Sequence, residues 1–327
     1  MKKEAIATAA AALAVLAGCD PGGGSGAERF PTKAVTLICP WAAGGGTDRV
    51  SRFFATEMES QLGSPVVVMN RTGGSGAVGH GVGAAAAADG HTVTMGTFEL
   101  STMHWMGISP LTWEDFEPVA QVNSDAAAIL VQAGARWENL ESWLEEVRAR
   151  PGEVKMSGTA TGGAWDLARA GFLSAAGLPV DSVIWVPTEG AAPSLVELLG
   201  GHIDAVCCSL PEAMAQIEAG QLKALTVMSA ERLPEFPEVP TAREAGVDWE
   251  AVGWRGFLLP KGTPDPVAQR IRSLIVEIAE SEKYRAFMRE SGFGVTLRAG
   301  EEFGRFLEEQ DQQWEDVIRK AGYAKGS

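Results

Sequence analysis

The 327-residue chain is short of the side chains that most chemistry at neutral pH needs. It holds only four histidines, two tyrosines and four cysteines. His80, His91, His104 and His202 are scattered, so no pair stands at metal-ligand spacing. There is no H-E-x-x-H and no Walker loop, and Gly73-Gly74-Ser75-Gly76-Ala77 misses a nucleophile elbow by one glycine. Beyond Cys19 the cysteines are Cys39, Cys207 and Cys208, an odd number with two adjacent, which is no disulfide framework. The last two end an apolar run from Ile203 and read as packed free thiols in a strand. No metal or cofactor is expected. Basic charge is scarce too: 27 Lys and Arg face 42 Asp and Glu, a net −15. That excludes nucleic acid as a partner, which needs a basic footprint. After the first nineteen residues no apolar run approaches the roughly 20 residues a membrane span requires.

What the N-terminus does have is an export signal. Lys2 and Lys3 precede an apolar run from Ala5 to Leu16, too short for a span, and Leu16-Ala17-Gly18-Cys19 resembles a bacterial lipobox. We read residues 1–18 as a signal peptide and Cys19 as the lipidated residue of a periplasmic, membrane-anchored lipoprotein. Residues 19–29, Gly-rich from Pro21 to Gly26, are the tether. Asp20 suggests retention in the inner membrane. The signal carries a net +1 from Lys2, Lys3 and Glu4, so the chain after it stands at −16. Outside the cytoplasm, ATP and NAD chemistry are not expected.

The remaining length suits two cores, and short β-branched runs alternate with helical spacing. Val35–Cys39, 65–69 and 91–95 read as strands around helices at 49–62 and 77–88. The pattern restarts with strands at 127–131, 154–156, 183–186, 203–208 and 224–228 and helices at 140–149, 163–176, 194–199 and 211–219. A Pro-rich segment (231–240), an apolar stretch (252–259) and three helices between 266 and 321 follow. This predicts an α/β fold of two lobes. Lobe 1 would take residues 30–122 and 230–327, and lobe 2 residues 123–229.

Ligand sites in open α/β sheets lie beyond the carboxyl ends of strands, which singles out two loops. Pro40 to Asp48 carries Gly44, Gly45 and Gly46 ahead of a helix, with Thr47 or Asp48 available as caps. Met156 to Gly163 has the same placement in the second lobe. Glycine-turned backbone N–H groups beside a helix start form an anion cradle. Two such loops could close on one ligand, with no Lys or Arg needed in contact. Gly74, Gly76 and Gly79 satisfy G-x-G-x-x-G, but they begin too far past the strand and lack an acid at ribose distance, so a flexible loop is the better reading.

Stretches spread in order along the chain resemble the substrate-binding proteins of tripartite tricarboxylate transporters, the Bug family. They are Phe30 to Asp48, Asn70 to Gly76, Ala88 to Thr92, Asp115 to Val119, Leu198 to Asp204, Ile217 to Leu225, Val239 to Thr241 and Leu259 to Pro264. The resemblance implies a two-lobed periplasmic-binding-protein-like fold, type II-like, with two chain crossovers between lobes. It implies a monomer that captures a small organic acid and delivers it to the large and small transmembrane subunits of a transporter. Carried over by position, the ligand-binding residues are Trp41, Ala43, Gly44, Gly45, Thr47, Asp48, Thr97, Ser157, Thr159, Thr161, Gly162, Asp166 and Thr188. The chain departs from relatives where they often have a His after the second loop (here Asp166), a Tyr-Lys after a later Val-Pro (here Thr188-Glu189), and an Asn/Thr-His pattern over Thr97 to Ile108 (here Phe98-Glu99-Leu100-Ser101-Thr102-Met103-His104). Acids at these places put a simple tricarboxylate in doubt, unless Asp166 only stabilises its helical turn and Glu189 faces water. Two other roles fit less well: an exported hydrolase on a small carboxylate ester, and a receptor presenting ligand to a sensor.

Overall fold

The computed structural model describes residues 30–320 and 322–325. The signal peptide, Cys19, Asp20 and the tether lie outside the described residues. The first parallel unit is β1 (Val35–Cys39), α1 (Gly46–Leu62), β2 (Val66–Asn70), α2 (Ala77–Ala84) and β3 (Thr92–Thr97). Helix α1 ends because Gly63 adopts the left-handed conformation and donates its N–H to Glu59 O. A 17-residue strand, β4 (Phe116–Gln132), leads to α3 (Leu140–Ala149), β5 (Val154–Ser157), α4 (Ala164–Ala175), β6 (Val183–Trp185), α5 (Ala191–Leu199), β7 (Ala205–Ser209), α6 (Met214–Glu218) and β8 (Leu222–Val227). Asn139 and Ser142 start α3 with a reciprocal capping box. The chain then runs through β9 (Val252–Pro260), α7 (Asp265–Glu280), α8 (Glu282–Glu290), β10 (Val295–Ala299) and α9 (Glu301–Lys320).

The strands form two ladders that share β4. Its first half pairs antiparallel with β9 and β10, and β9 continues through β3 and β1 to β2. Its second half, from Ala127, pairs antiparallel with β7 and β8, and β7 continues through β5 to β6. The chain therefore crosses between lobes twice, once inside β4 and once on entering β9. Three backbone bonds pin the crossings together: Ala127 N–H to Ala251 O, Ala251 N–H to Met228 O, and Met228 N–H to Ala127 O.

Each ladder has its own core. Leu37, Phe54, Met95, Phe257, Ile275 and Tyr284 lie in one, and Ile129, Trp143, Phe172, Leu198 and Cys207 in the other. Phe236, Val239, Ala242, Val247 and Ala251 pack in the second core, so the segment after β8 stays with that lobe up to β9. A third cluster spans both lobes. In it α9 lays Phe303, Leu307, Trp314 and Ile318 against Phe98, Trp254 and α4's Leu167.

Three expectations are corrected. Strand β4 begins eleven residues before the predicted 127, because Gln121, Asn123 and Asp125 interrupt the apolar pattern yet are buried. The predicted helix at 211–219 is a 3-10 turn (Leu210–Ala213) followed by five α-helical residues. The C-terminal region inserts β10 between its second and third helices. Cys39, Cys207 and Cys208 are buried free thiols, as expected for the last two, and burial raises the Cys39 thiol to about 11.

Candidate functional site

The two Gly-rich loops are built alike. Gly44 (φ 84°) and Gly162 (φ 75°) sit in the left-handed region that glycine tolerates. Each donates its N–H at 2.9 Å to the carboxylate of the third helical residue, Asp48 on α1 and Asp166 on α4. Each is followed by a glycine N-cap, Gly45 (φ −75°, ψ 172°) and Gly163 (φ −76°, ψ 171°), with no capping side chain. The loops thus open two helix starts toward a shared cleft.

Both aspartates, expected as ligand contacts, hold their loops and are not among the residues lining the cleft. Asp48 also accepts from Arg52 Nε (2.8 Å) and Asn70 Nδ2 (2.9 Å). Burial would raise its pKa, but the Arg52, Gly44 and Asn70 bonds outweigh it and hold it below the usual carboxylate range. Asp166 is fully buried and ion-paired to Arg169 Nη2 at 2.5 Å, with Tyr323 OH at 3.2 Å. Tyr323 follows α9, so this contact ties the C-terminus of the chain to the second lobe.

The cleft is lined by Trp41, Gly45, Gly46, Thr47, Thr97, Glu99, Thr159, Ala164, Trp165, Glu212, Trp254 and Arg255, among others, and leaves a free cavity of about 40 Å³. Of the sequence candidates, Trp41, Gly45, Thr47, Thr97 and Thr159 line it. Ala43, Gly44, Ser157, Thr161, Gly162 and Thr188 do not. Ala43 and Gly44 face solvent. Ser157 donates behind the wall to Val186 O (2.6 Å), and Thr188 Oγ1 bonds Ser194 Oγ (2.6 Å). The Thr161 carbonyl accepts from Ser75 Oγ at 2.5 Å, so the G-x-G-x-x-G loop braces the second lobe's loop. Glu189 is exposed, and its carbonyl accepts from Ala42 N–H at 3.1 Å.

Glu212 and Arg255 were missed as site residues, while Glu99 lies in the segment already marked as a departure from relatives. Arg255 is buried in β9. It donates to Thr47 Oγ1 (3.0 Å), Asp125 Oδ2 (2.6 Å), Glu212 Oε1 (3.3 Å) and Asn123 Oδ1 (2.5 Å). Burial alone would lower its pKa; the facing Asp125 and Glu212 more than offset that. Glu99 accepts from Ala164 N–H at 2.8 Å and from Thr97 Oγ1 at 2.5 Å, and Thr97 Oγ1 in turn accepts from Trp41 Nε1 at 3.2 Å. Burial pushes the Glu99 carboxyl up, against those bonds. Glu212 accepts from Gly46 N–H at 3.2 Å. Thr159 Oγ1 and Trp254 Nε1 are buried without a hydrogen-bond partner among the described residues. One signal for the missed groups was present: Arg255 is a lone charge inside the apolar run 252–259.

His80 fixes the backbone at Thr97. Its Nδ1 lies 2.8 Å from Gly76 O and its Nε2 accepts from Thr97 N–H at 3.2 Å, so the ring is a neutral tautomer. Burial lowers its pKa to about 4. An unfolded His titrates near 6.5, so between these values the unfolded chain binds more protons. The His80 contribution to stability is intact above about 6.5 and falls by roughly 3 kcal/mol as pH drops to 4. His80→Gln should flatten that part of the stability–pH profile in thermal unfolding. An unchanged slope would show that His80 is not the group responsible.

Two α/β lobes, a double crossover and paired helix starts facing one cleft define a solute-binding protein. The family model for "Tripartite tricarboxylate transporter family receptor" matches residues 50–323, and the chain belongs to that family. The family is one of periplasmic solute-binding proteins, not enzymes, so the hydrolase alternative falls away. Protein BugT of Bordetella pertussis is 28% identical, over 90% of this chain and 91% of its own. The structure of MatC from Rhodopseudomonas palustris with bound malate superposes with a TM-score of 0.83 at 27% identity, covering 88% of this chain and 100% of that one. Rpa4515 of R. palustris with adipate gives 0.84 at 29%, covering 90% and 99%. Among the described residues no helix is long and apolar enough to cross a membrane, and no group of potential metal ligands occurs.

Proposed function

We propose that this chain captures a small organic acid in the cleft between Thr47 and Thr159 and hands it to the transmembrane subunits of a tripartite transporter. The observation that carries this is the pair of unpartnered buried donors, Thr159 Oγ1 and Trp254 Nε1, in a cleft faced by two helix starts and Arg255. A buried polar atom without a partner costs stability, and a ligand oxygen that reached either atom would relieve that cost. Malate in MatC and adipate in Rpa4515 support the acid class. The cores support a lobe division near residues 126 and 251 rather than 122 and 230. Trp41, Gly45, Thr47, Thr97 and Thr159 remain ligand-facing candidates, and Glu99, Glu212, Trp254 and Arg255 join them.

Thermal-shift screening with small mono-, di- and tricarboxylates tests the ligand class. A ligand at 100 times its Kd stabilises by about 2.7 kcal/mol, a clear rise in Tm. A screen in which no acid raises Tm would remove the reading.

The protein acts as a monomer, held to the membrane by lipid on Cys19 and facing the periplasm. Cys19→Ala should lose labelling by a palmitate analogue and move from the membrane to the soluble fraction. Persistent membrane association would remove the anchor at Cys19.

A further inference from the structure

The second ligand loop is braced from the other lobe, and the first is not. Around Gly44 the brace is local. Asp48 is held by Arg52, half exposed and four residues on in the same helix, and by Asn70 of β2. Around Gly162 the brace is buried and distant in sequence. The Asp166 and Arg169 side chains are 0% and 2% exposed. The hydroxyl that closes on both belongs to Tyr323, 157 and 154 residues away. It accepts from Arg169 Nη2 at 2.8 Å and donates to Asp166 Oδ1 at 3.2 Å, so its lone pair and its proton are both in use. Burial and the neighbouring Asp166 charge push the Tyr323 hydroxyl up, so it stays a donor at neutral pH.

Tyr323 reaches the second lobe on a strap fixed to the first. Helix α9 is held there by Trp314, edge to face with Phe98 at 4.6 Å, and by Asp311, whose Oδ1 accepts from Trp105 Nε1 at 2.9 Å. Past the helix, Tyr323 N–H donates to Ile318 O at 3.0 Å and Lys325 N–H to Trp105 O at 3.1 Å. Trp105, in the segment after β3, therefore anchors the chain on both sides of Tyr323. The same segment covers the braced loop, since a Cβ at Gly162 would stand 2.7 Å from Met106 Sδ. Asp166 in turn holds Gly162 in the left-handed turn that leads into α4. Thr159 and Ala164, on either side of that turn, line the cleft.

We propose that Tyr323 is a positioning residue of the ligand cleft: held by the first lobe, it fixes the second lobe's loop through Arg169 and Asp166. It touches no ligand. This takes the organic-acid reading as given, but its first test uses no ligand, so the two fail separately.

Amide hydrogen exchange followed by NMR on ligand-stripped protein tests it. Tyr323→Phe should speed exchange at Gly162 by about tenfold or more, the expected effect of losing hydrogen bonds to charged groups. Gly44, with its local brace, should stay within about twofold of wild type. Lys325→Pro removes the N–H on Trp105 and leaves the hydroxyl, and should speed Gly162 in the same direction. An unchanged Gly162 rate in Tyr323→Phe overturns the proposal. So does an equal rise at both glycines, which marks a general loss of stability. An unchanged rate in Lys325→Pro removes the anchor in the first lobe and overturns it too. Should Tyr323→Phe fail to fold, Lys325→Pro decides alone. Calorimetry with succinate, glutarate and citrate adds the binding half. Each that binds the wild type should bind Tyr323→Phe about tenfold more weakly, and equal affinity overturns the positioning role. If none of the three binds the wild type, the exchange contrast still decides.

Discussion

Arg255→Ala is expected to destabilise the protein by about 3–5 kcal/mol, the cost of breaking a buried ion pair by removing one partner. The guanidinium supplies donors to Asp125, Asn123, Glu212 and Thr47 at once, and the elements it joins come from both ladders. Without it, Asp125 keeps its Gly294 N–H bond (2.8 Å), but a buried carboxylate is left without its cation. Urea unfolding at neutral pH gives the loss as a lower midpoint. Arg255→Ala with Asp125→Ala should recover part of it, because the unpaired charge is gone. A midpoint within about 0.5 kcal/mol of wild type, the range of ordinary surface changes, would mean that Arg255 does not organise the crossing.

Gly46→Val is expected to abolish ligand binding, by about 100-fold or more, while leaving the protein folded. A Cβ at Gly46 would stand 2.6 Å from Arg255 Nη2 and 2.9 Å from Glu212 Oε1. Glu212 Oε1 can swing aside, but Arg255 is buried and paired, so the variant stays folded with part of the stability loss expected of Arg255→Ala. Moving them breaks the Gly46–Glu212 bond that joins the lobes and fills the cleft wall. Calorimetry against the tightest acid from the screen, with circular dichroism to confirm folding, measures both halves. Retained affinity would place the ligand away from the start of α1.

The parts legible in the sequence were those written locally. Strand β1, the glycines after it and the amphipathic α1 are one uninterrupted signal, and the structure forms them almost where the pattern ends. The second lobe repeats the signal at β5 and α4. Strand β4 was legible only from Ala127, where it becomes uniformly apolar. Its first half reads as loop because Gln121, Asn123 and Asp125 are buried polar residues. Their partners, Arg298, Gly294 and Arg255, lie at least 130 residues away. Strand β10 is short and half-exposed, so it shows no apolar run.

The site divides in the same way. Trp41, Gly45, Thr47 and Thr159 lie on the two loops that the pattern singles out, and Thr97 came from the family resemblance. Neither route settles Asp48 and Asp166: an acid at the third helical position fits a ligand contact or a brace on the preceding glycine equally, and only the fold decides. Glu212 was invisible and Glu99 was legible only as an acid in a segment that departs from relatives, because each completes a helix start in the other lobe, 166 and 65 residues from its amide partner.

The crystal structure of the protein with its tightest-binding acid tests the central claim most directly. The account predicts a carboxylate in the cleft, within hydrogen-bond distance of Thr159 Oγ1 or Trp254 Nε1, with Arg255 still paired to Asp125. A ligand seated elsewhere would contradict it.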